Sequence, residues 1–382
     1  MILFAVIWVE KPARIKRLAN AMKDFGVDVA VFFSNENLCY VAGNLIDYAA
    51  ALLTSEGKVV TVCSFLEYER AKAETWSDEV LAYLPYDVSN PPPQVFRSSS
   101  LLDAVCQVIS EHGFSSSAIG FEADHLSRSF SERLFRKLPE AEFRDVSGLV
   151  LGFRQVKDEL EVENIRRATK IISRAFSAAA DVIKAGVTEV EVAAEALKVM
   201  IASGGTGVFK MPIVASGFRS ALPHGRASSK AIGRGELVVL DFVAACNWYY
   251  GDLTRVAVVG YPSSKQLRMY EVVVEALEAA ISSIRPGVSC AEVDRAARKV
   301  IVDAGFGEYF IHSTGHGIGL SVHESPRLSS TDKTVLKPGM VVTVEPGIYV
   351  PEVGGVRVER DVVVTDDGAE VLDEYPIELM VI

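Results

Sequence analysis

Two acidic residues in the second half of the chain, Asp241 and Asp252, have a spacing that could bring their carboxylates together. Asp241 follows the apolar run 237–240, which is typical of a buried strand, and Asp252 opens a second apolar run. A turn around Cys246 and Asn247 would join the two strands as a hairpin, with the two carboxylates opposite each other. Two buried carboxylates side by side need a proton or a cation between them. The spacing therefore favours a cation at this hairpin.

A second pair of acids, Glu345 and Glu359, has the same arrangement around a predicted turn at residues 351–355. Each half of this region thus offers one pair of facing carboxylates. Four such groups converging on one interface would hold two divalent cations. Any one of these acids alone is typical of a solvated strand end, but the full set at these spacings indicates a metal centre.

His316 supplies a nitrogen ligand for the same centre. It lies in a glycine-rich segment, residues 314–319, where small residues let a backbone and a metal ion approach closely. One imidazole and four carboxylates form a hard, oxygen-rich donor set. Such a set favours manganese, cobalt or iron over the thiolate-type zinc site, with zinc as an alternative.

The region that carries these residues contains an internal repeat. Residues 186–192 resemble residues 287–293 at an offset of 101, and the match continues to a glycine after each helix. Both copies open with a helix-capping box, a hydroxyl residue followed three positions later by glutamate: Thr188 with Glu191, and Ser289 with Glu292. A duplicated α+β unit would place a shared site at its pseudo-twofold interface.

The first part of the chain alternates helical and strand patterns and predicts a separate α/β domain. Residues 14–25 have the spacing of an amphipathic helix, 27–33 that of a buried strand, and 34–37 the composition of a turn. We place the domain boundary between residues 153 and 154, ahead of a long predicted helix at 157–184. The apolar run 1–9 predicts a strand or an extended segment, since it is too short to span a membrane.

The composition excludes several classes of function. The 382 residues include 39 Lys and Arg against 50 Asp and Glu, a net charge of −11, which argues against a nucleic-acid partner. The five cysteines are scattered and form no CxxC pair, so neither a disulfide framework nor a thiolate zinc site is expected. These features predict a cytoplasmic protein without a membrane partner.

The motifs around these residues resemble the metallopeptidase family of Xaa-Pro dipeptidases (prolidases), Xaa-Pro aminopeptidases and methionine aminopeptidases. The resemblance extends from Arg14 to the C-terminus. It is carried by residues 220–225, 240–242, 251–255, 311–320, 322–326, 345–349 and 355–359, and by 37–43 in the first domain. It implies an α+β pita-bread catalytic domain with an internal pseudo-twofold repeat at 154–382. An α/β domain of the creatinase/prolidase N-terminal type at 1–153 would precede it.

The resemblance also implies roles for individual residues. The ligands of a dinuclear metal site would be Asp241, Asp252, His316, Glu345 and Glu359, with Asp252 and Glu359 bridging. Glu345 would accept and relay the proton of the attacking water, and His323 or His312 would stabilise the oxyanion or the leaving nitrogen. Substrate-binding positions would be His224, His312, His323 and Arg357.

The resulting expectation is hydrolysis of Xaa-Pro bonds, most readily in dipeptides, by a hydroxide shared between two divalent ions, with manganese or cobalt ahead of zinc or iron. A homodimer is also implied. Three alternatives stay open at this point. They are an Xaa-Pro aminopeptidase acting on longer peptides, a creatinase-like C–N hydrolase, and a non-catalytic relative that binds proteins. The complete ligand set disfavours the last two, because creatinase works without these metals and non-catalytic relatives lose ligands.

Overall fold

The structure, a computed structural model, describes residues 11–206 and 211–382, so the prediction for residues 1–9 lies outside the described part. The chain divides into two compact units, the first ending at Arg154 and the second beginning at Gln155. Among the described residues no helix has the length and apolarity needed to cross a membrane.

The first unit is built around a seven-stranded mixed sheet. Its elements are α1 (Ala13–Asp24), β1 (Val29–Phe32), α2 (Asn35–Ala42), β2 (Ala49–Thr54), β3 (Val59–Ser64), α3 (Tyr68–Glu74), β4 (Glu79–Leu84), β5 (Val95–Arg97), α4 (Leu101–Glu111), β6 (Ala118–Phe121), α5 (Arg128–Lys137), β7 (Glu142–Asp145) and α6 (Ser147–Gln155). The strand order is β5-β4-β3-β2-β1-β6-β7.

The turn predicted at residues 34–37 is wrong, because this segment starts a helix. The Ser34 side chain accepts a hydrogen bond from the backbone N–H of Asn37 and caps α2. The buried carboxylate of Glu122 in turn accepts hydrogen bonds from the Ser34 hydroxyl and from the Asn37 amide. Polar residues that are typical of a turn therefore provide the cap and its buried support.

The second unit carries the predicted metal ligands. Its elements are α7 (Glu159–Val182), α8 (Glu189–Ala202), β8 (Ile213–Ser216), β9 (Leu237–Cys246), β10 (Tyr249–Val258), α9 (Ser264–Ser283), α10 (Cys290–Asp303), β11 (Gly315–Gly317), β12 (Glu324–Leu328), β13 (Val341–Val344), β14 (Gly347–Val350), β15 (Gly354–Arg357), β16 (Arg360–Val364), β17 (Ala369–Val371) and β18 (Met380–Val381). The sheets are ordered β18-β10-β9-β8, β12-β11-β13-β16-β17 and β14-β15.

The internal repeat is visible in matching backbone contacts. Helices α8 and α10 have 14 residues each, and both begin with the predicted capping box. Gly186 N–H donates to Ile232 C=O at 2.9 Å, and Gly287 N–H, 101 residues on, donates to Leu336 C=O at 3.0 Å. The two halves of the unit therefore share both the capped helix and the segment that runs beside its start.

Strand alternation places the acids on the inner face of β9 and β10. Side chains of β9 at even positions, from 238 to 244, pack into an apolar cluster with α7 and α8. The odd positions Leu237 and Val239 belong to a second cluster with α9 and α10. Asp241 is the next residue on that second face, since successive strand residues point to opposite sides. The face is thus apolar at one end and acidic at the other.

Candidate metal centre

The hairpin of β9 and β10 holds both aspartates on one face, but in a register different from the predicted one. Asp241 is paired with Thr254, and Asp252 with Val243, so the two acids are diagonal rather than opposite. The turn lies at residues 247–248, which both have positive φ (48° and 70°), as a two-residue type I′ turn requires. The prediction placed this turn one residue too early and was wrong in that respect.

The glutamates follow the predicted register. The pairs of β13 with β16 and of β14 with β15 share one centre at residue 352, and both ladders extrapolate to Glu345 opposite Glu359. Neither glutamate belongs to a strand, because the ladder is interrupted between its two segments. The backbone is fixed by other bonds: Glu345 N–H donates to Thr314 C=O at 2.7 Å, and Glu359 N–H donates to Thr254 C=O at 3.2 Å.

Three of the predicted ligands form a tight buried cluster. Asp252, His316 and Glu359 each offer a ligand atom, and these atoms lie within 4.8 Å of one another. The Nδ1 of His316 is 3.0 Å from the carbonyl oxygen of Gly317, which directs Nε2 toward the acids. Glu359 accepts a hydrogen bond of 2.7 Å from the Thr254 hydroxyl. The donor atoms are therefore oriented toward a common centre by backbone and hydroxyl groups, as metal ligands usually are.

The other two predicted ligands adjoin this cluster and contact Arg357. Glu345 Oε1 is 3.4 Å from His316 Nε2. Arg357 donates to Asp241 Oδ2 at 2.5 Å, and its Nε is 3.9 Å from Glu345 Oε2. Arg357 is only 3% exposed, so its charge acts in a region of weak solvent screening. One guanidinium thus compensates part of the charge of the four acids.

The negative charge that Arg357 does not compensate is unfavourable to bury. Burial, followed by repulsion from neighbouring acids, raises the pKa of Asp252 and of Glu359 well above the usual range. Burial and Asp241 raise the pKa of Glu345 to about 7. Asp252 Oδ1 is buried and has no hydrogen-bond partner among the described residues. An orphaned carboxylate oxygen among crowded acids and a neutral imidazole fits a divalent cation.

His312 is held by a hydrogen-bonded chain that ends at Arg357. Arg357 donates to the hydroxyl oxygen of Tyr349 at 2.8 Å, and that hydroxyl lies 2.9 Å from His312 Nε2. Because the guanidinium has only donors, the Tyr349 proton goes to Nε2, and Nδ1 donates to Ser313 C=O at 2.7 Å. Burial lowers the pKa of His312 to about 4. The imidazole is therefore neutral and both its nitrogens are engaged.

The two other predicted histidines are exposed. The His323 ring lies 4.3 Å from the His316 ring, centroid to centroid, in an edge-on arrangement. His224 is near enough to lower the pKa of His312 electrostatically, though less than burial does. The structure therefore brings all nine predicted residues into one region, with His323 and His224 on its accessible side.

Three further residues of the site received no role from the sequence. They are Thr254, Tyr349 and Asp361, of which Asp361 accepts a hydrogen bond from the Asp252 N–H at 3.1 Å. A signal existed for two of them, since Thr254 follows Asp252 by two positions and Asp361 follows Glu359 by two. Residues two apart on a strand share a face, so each lies on the side of its ligand. No comparable local signal pointed to Tyr349.

Both units match models of known protein families. Residues 163–366 match the model of metallopeptidase family M24, and residues 14–156 match the creatinase/prolidase N-terminal domain. A Xaa-Pro dipeptidase from Pyrococcus horikoshii is 38% identical over 368 residues, which are 96% of this chain and 98% of that relative.

Solved structures give the same result. A prolidase from Pyrococcus horikoshii is 37% identical with a TM-score of 0.84, covering 97% of this chain and 100% of its own. An X-Pro aminopeptidase from Thermotoga maritima is 33% identical with a TM-score of 0.87, covering 96% and 99%. Both the sequence matches and the structural matches extend over nearly the whole chain, and the chain therefore belongs to metallopeptidase family M24, as a member with a creatinase/prolidase N-terminal domain and a pita-bread catalytic domain.

Proposed function

We propose that the protein is a Xaa-Pro dipeptidase that uses two divalent cations. The observation that carries this proposal is the convergence of Asp252, His316 and Glu359 within 4.8 Å, with Asp241 and Glu345 adjoining. The relatives named Xaa-Pro dipeptidase, at 37–38% identity over 98–99% of their length, support the dipeptide substrate. The similarity to an X-Pro aminopeptidase keeps action on longer peptides as the second candidate.

The residues that would hold the two ions are Asp241, Asp252, His316, Glu345 and Glu359, and Asp252 and Glu359 would be the two that both ions share. Four carboxylates and one imidazole suit manganese or cobalt, with zinc or iron as alternatives. Divalent cations in such a site act as Lewis acids and lower the pKa of water toward neutrality. The orphaned Asp252 Oδ1 and the raised pKa values of Asp252 and Glu359 support this set.

Different side chains of the site carry out proton transfer and substrate binding. Glu345, whose Oε1 lies 3.4 Å from His316 Nε2, accepts the proton of the attacking water and passes it to the leaving nitrogen. The exposed His323 donates a hydrogen bond to the oxyanion of the tetrahedral intermediate. His224, which is also exposed, and His312 line the place of the substrate.

Arg357 has a different environment from the one that a substrate-binding residue requires. Its donors reach Asp241, Thr254, Tyr349 and the carbonyl of Pro223. We therefore assign Arg357 to holding the ligand acids rather than to binding the peptide. Both nitrogens of His312 are engaged inside the protein, so this imidazole has no free site for proton transfer. We therefore assign His312 to positioning the substrate.

Three further features belong to the same proposal. The domain boundary is proposed between residues 153 and 154, one residue before the division between the two compact units. The working form is a homodimer that does not bind membranes. It does not bind nucleic acid either, because the net charge of −11 is unfavourable for contact with phosphates. The location is the cytoplasm, which suits five scattered cysteines without a CxxC pair.

A substrate panel tests the reaction. With manganese or cobalt present, the protein should hydrolyse Xaa-Pro dipeptides and leave Xaa-Ala dipeptides and creatine nearly untouched. Xaa-Pro-Xaa tripeptides should react at least about tenfold more slowly in kcat/KM, a difference of about 1.4 kcal/mol in transition-state binding. Faster cleavage of the tripeptides would establish the aminopeptidase instead. Inactivity on every proline peptide, with metal bound, would refute the proposed function.

Glu359→Gln tests the second carboxylate pair. Removing one bridging charge should empty at least one metal position and lower kcat by about 10²-fold or more, while the fold is retained. Glu352→Gln is the matched control, because Glu352 lies exposed in the intervening turn. Elemental analysis beside kcat measures both effects. Equal losses in the two variants would mean that the pair has a structural role only.

His316→Ala and His323→Ala separate ligand from catalyst. His316→Ala should lower metal content and rate together. His323→Ala should keep its metal and its melting temperature but lose about 10²–10³-fold in kcat, the usual cost of one oxyanion donor. Loss of metal from His323→Ala would contradict this division of roles.

Chelation should make stability decrease as the pH rises through neutrality. A carboxyl whose pKa is higher in the folded than in the unfolded chain stabilises the fold at low pH, and this contribution disappears as pH rises through the folded pKa. Because the pKa of Glu345 is about 7 and those of Asp252 and Glu359 are also raised, the melting temperature of chelated protein should fall from pH 6.5 to about 8.

Two buried histidines change the stability in the opposite direction, but only below pH 6.5. Burial lowers the pKa of His312 and His316 to about 4 from 6.5, so they destabilise the fold only where unfolded imidazoles gain protons, below pH 6.5. Calorimetry of chelated and metal-loaded protein across pH 6.5 to about 8 measures the difference. A chelated protein whose melting temperature is constant over this range would contradict the assignment.

A further inference from the structure

A buried ion pair lies beside the metal centre and has no part in the roles assigned so far. Lys157 Nζ is 3.4 Å from Glu324 Oε2, and the two side chains are 1% and 2% exposed. Moving both charges out of water costs so much that a buried pair is weak support for stability as such. The contacts around the pair indicate what else it does.

Glu324 fixes the loop that carries His323. It immediately follows His323, and its Oε1 accepts a hydrogen bond of 2.9 Å from the Ser321 N–H. Gly319 N–H donates to Ser321 C=O at 3.1 Å, and Gly319 C=O accepts from the Tyr250 N–H at 2.8 Å. One carboxylate oxygen thus closes the loop at residues 319–324, while the other meets Lys157.

Lys157 is a fixed point for that carboxylate. Its backbone N–H donates to Gly339 C=O at 2.8 Å. The next residue, Asp158, caps α7 through a complete capping box with Glu161. The backbone from which the Lys157 side chain extends is therefore held on both sides, independently of the loop.

The pair also packs against the glycine-rich segment that carries His316. A Cβ atom at Gly319 would lie 2.9 Å from Glu324 Oε2 and 3.1 Å from the Lys157 Cε atom. Only glycine leaves the space that the pair occupies. The pair therefore lies between the end of the His316 segment and the start of β12, where His323 precedes Glu324.

We propose that Lys157 and Glu324 are positioning residues that fix the His323 imidazole beside His316, at the observed ring distance of 4.3 Å. A group that donates to a developing oxyanion is effective only when its position is set in advance, and a shift of about 1 Å can cost about 10²-fold in rate. The kinetic part of this proposal rests on the proposed function. The structural part, that the pair sets the position of the His323 ring, does not.

A double-mutant cycle tests whether Lys157 acts through His323. In metal-loaded protein, Lys157→Met should lower kcat on an Xaa-Pro dipeptide by about 10- to 100-fold, with metal content unchanged. In a His323→Ala background the same change should cost less than about threefold, because the residue it positions is gone. Lys198→Met is the control, since Lys198 forms an exposed pair with Glu195, and it should be silent. An equal loss in both backgrounds, or loss of metal, would overturn the proposal.

A double variant separates positioning from stabilisation. Lys157→Met with Glu324→Gln removes both charges but keeps an oxygen for the Ser321 N–H. Since a neutral replacement of a buried pair is often as stable as the pair, its melting temperature should return toward that of the wild type, while kcat stays low. Recovery of kcat together with the melting temperature would mean that the pair only stabilises the fold.

The ring position itself is measured without reference to activity. In histidine-labelled protein, the NMR signal of the His323 ring, identified by its loss in His323→Ala, should shift or broaden in Lys157→Met. The signal of His112 should not change. If Lys157→Met does not fold, the double variant serves for the same comparison. An unchanged His323 signal would overturn the proposal even in an active enzyme, whereas a wild type that is inactive on proline dipeptides would refute only the proposed function.

Discussion

Repulsion among buried carboxylates is the constraint on which this site depends. Asp252 and Glu359 are 6% and 2% exposed. Burial raises the pKa of both, and so do neighbouring acids, chiefly Glu359 for Asp252 and Glu345 for Glu359. Arg357 supplies one compensating positive charge, which it places between Asp241 and Glu345. The rest must come from protons or from cations, since an uncompensated buried charge is too costly to retain. Binding of divalent cations would supply this compensation.

The two halves of the second unit are joined at the positions that carry the acids. Asp252 N–H donates to Asp361, and Glu359 N–H donates to the carbonyl of Thr254. Arg255, also buried, donates from Nη1 to Glu359 C=O at 2.6 Å. The backbones of Asp252 and Glu359 are therefore each fixed by the other half of the repeat. A duplicated fold can hold four like charges together because backbone hydrogen bonds and the ion pair of Arg357 with Asp241 join its two halves.

Patterns local in the sequence predicted most of the fold and five of the nine residues brought into the site, namely the four acids and His316. The other four, His224, His312, His323 and Arg357, followed from the family resemblance. The helix caps at Thr188 and Ser289 were evident because a capping box needs only four residues. The symmetric spacing around residue 352 predicted the register of the glutamates. For the aspartates the same reasoning failed by one turn position, because the type I′ turn depends on positive φ at Asn247 and Trp248, residues without the usual Asn-Gly signature.

Contacts between distant segments had no such signal. Lys157 and Glu324 are 167 positions apart, and neither lies in a pattern that predicts a partner. Tyr349 joins His312 to Arg357 only because β14 and β15 bring their segments together. Such contacts depend on the assembled fold, so they could not be anticipated from the order of residues. The acids and His316 are therefore readable from the sequence, as are neighbours two positions away, whereas partners from distant segments are not.

The environments of the histidines explain why one imidazole suits a metal and another a substrate. His316 is buried, its Nδ1 lies by a carbonyl, and burial lowers its pKa to about 4, so Nε2 keeps its lone pair at neutral pH. That lone pair is what a cation needs. His312 is neutral for the same reason, but its Nε2 is already bonded to Tyr349. His323 is exposed beside the ligand cluster, so it is the imidazole of the three that a peptide can reach.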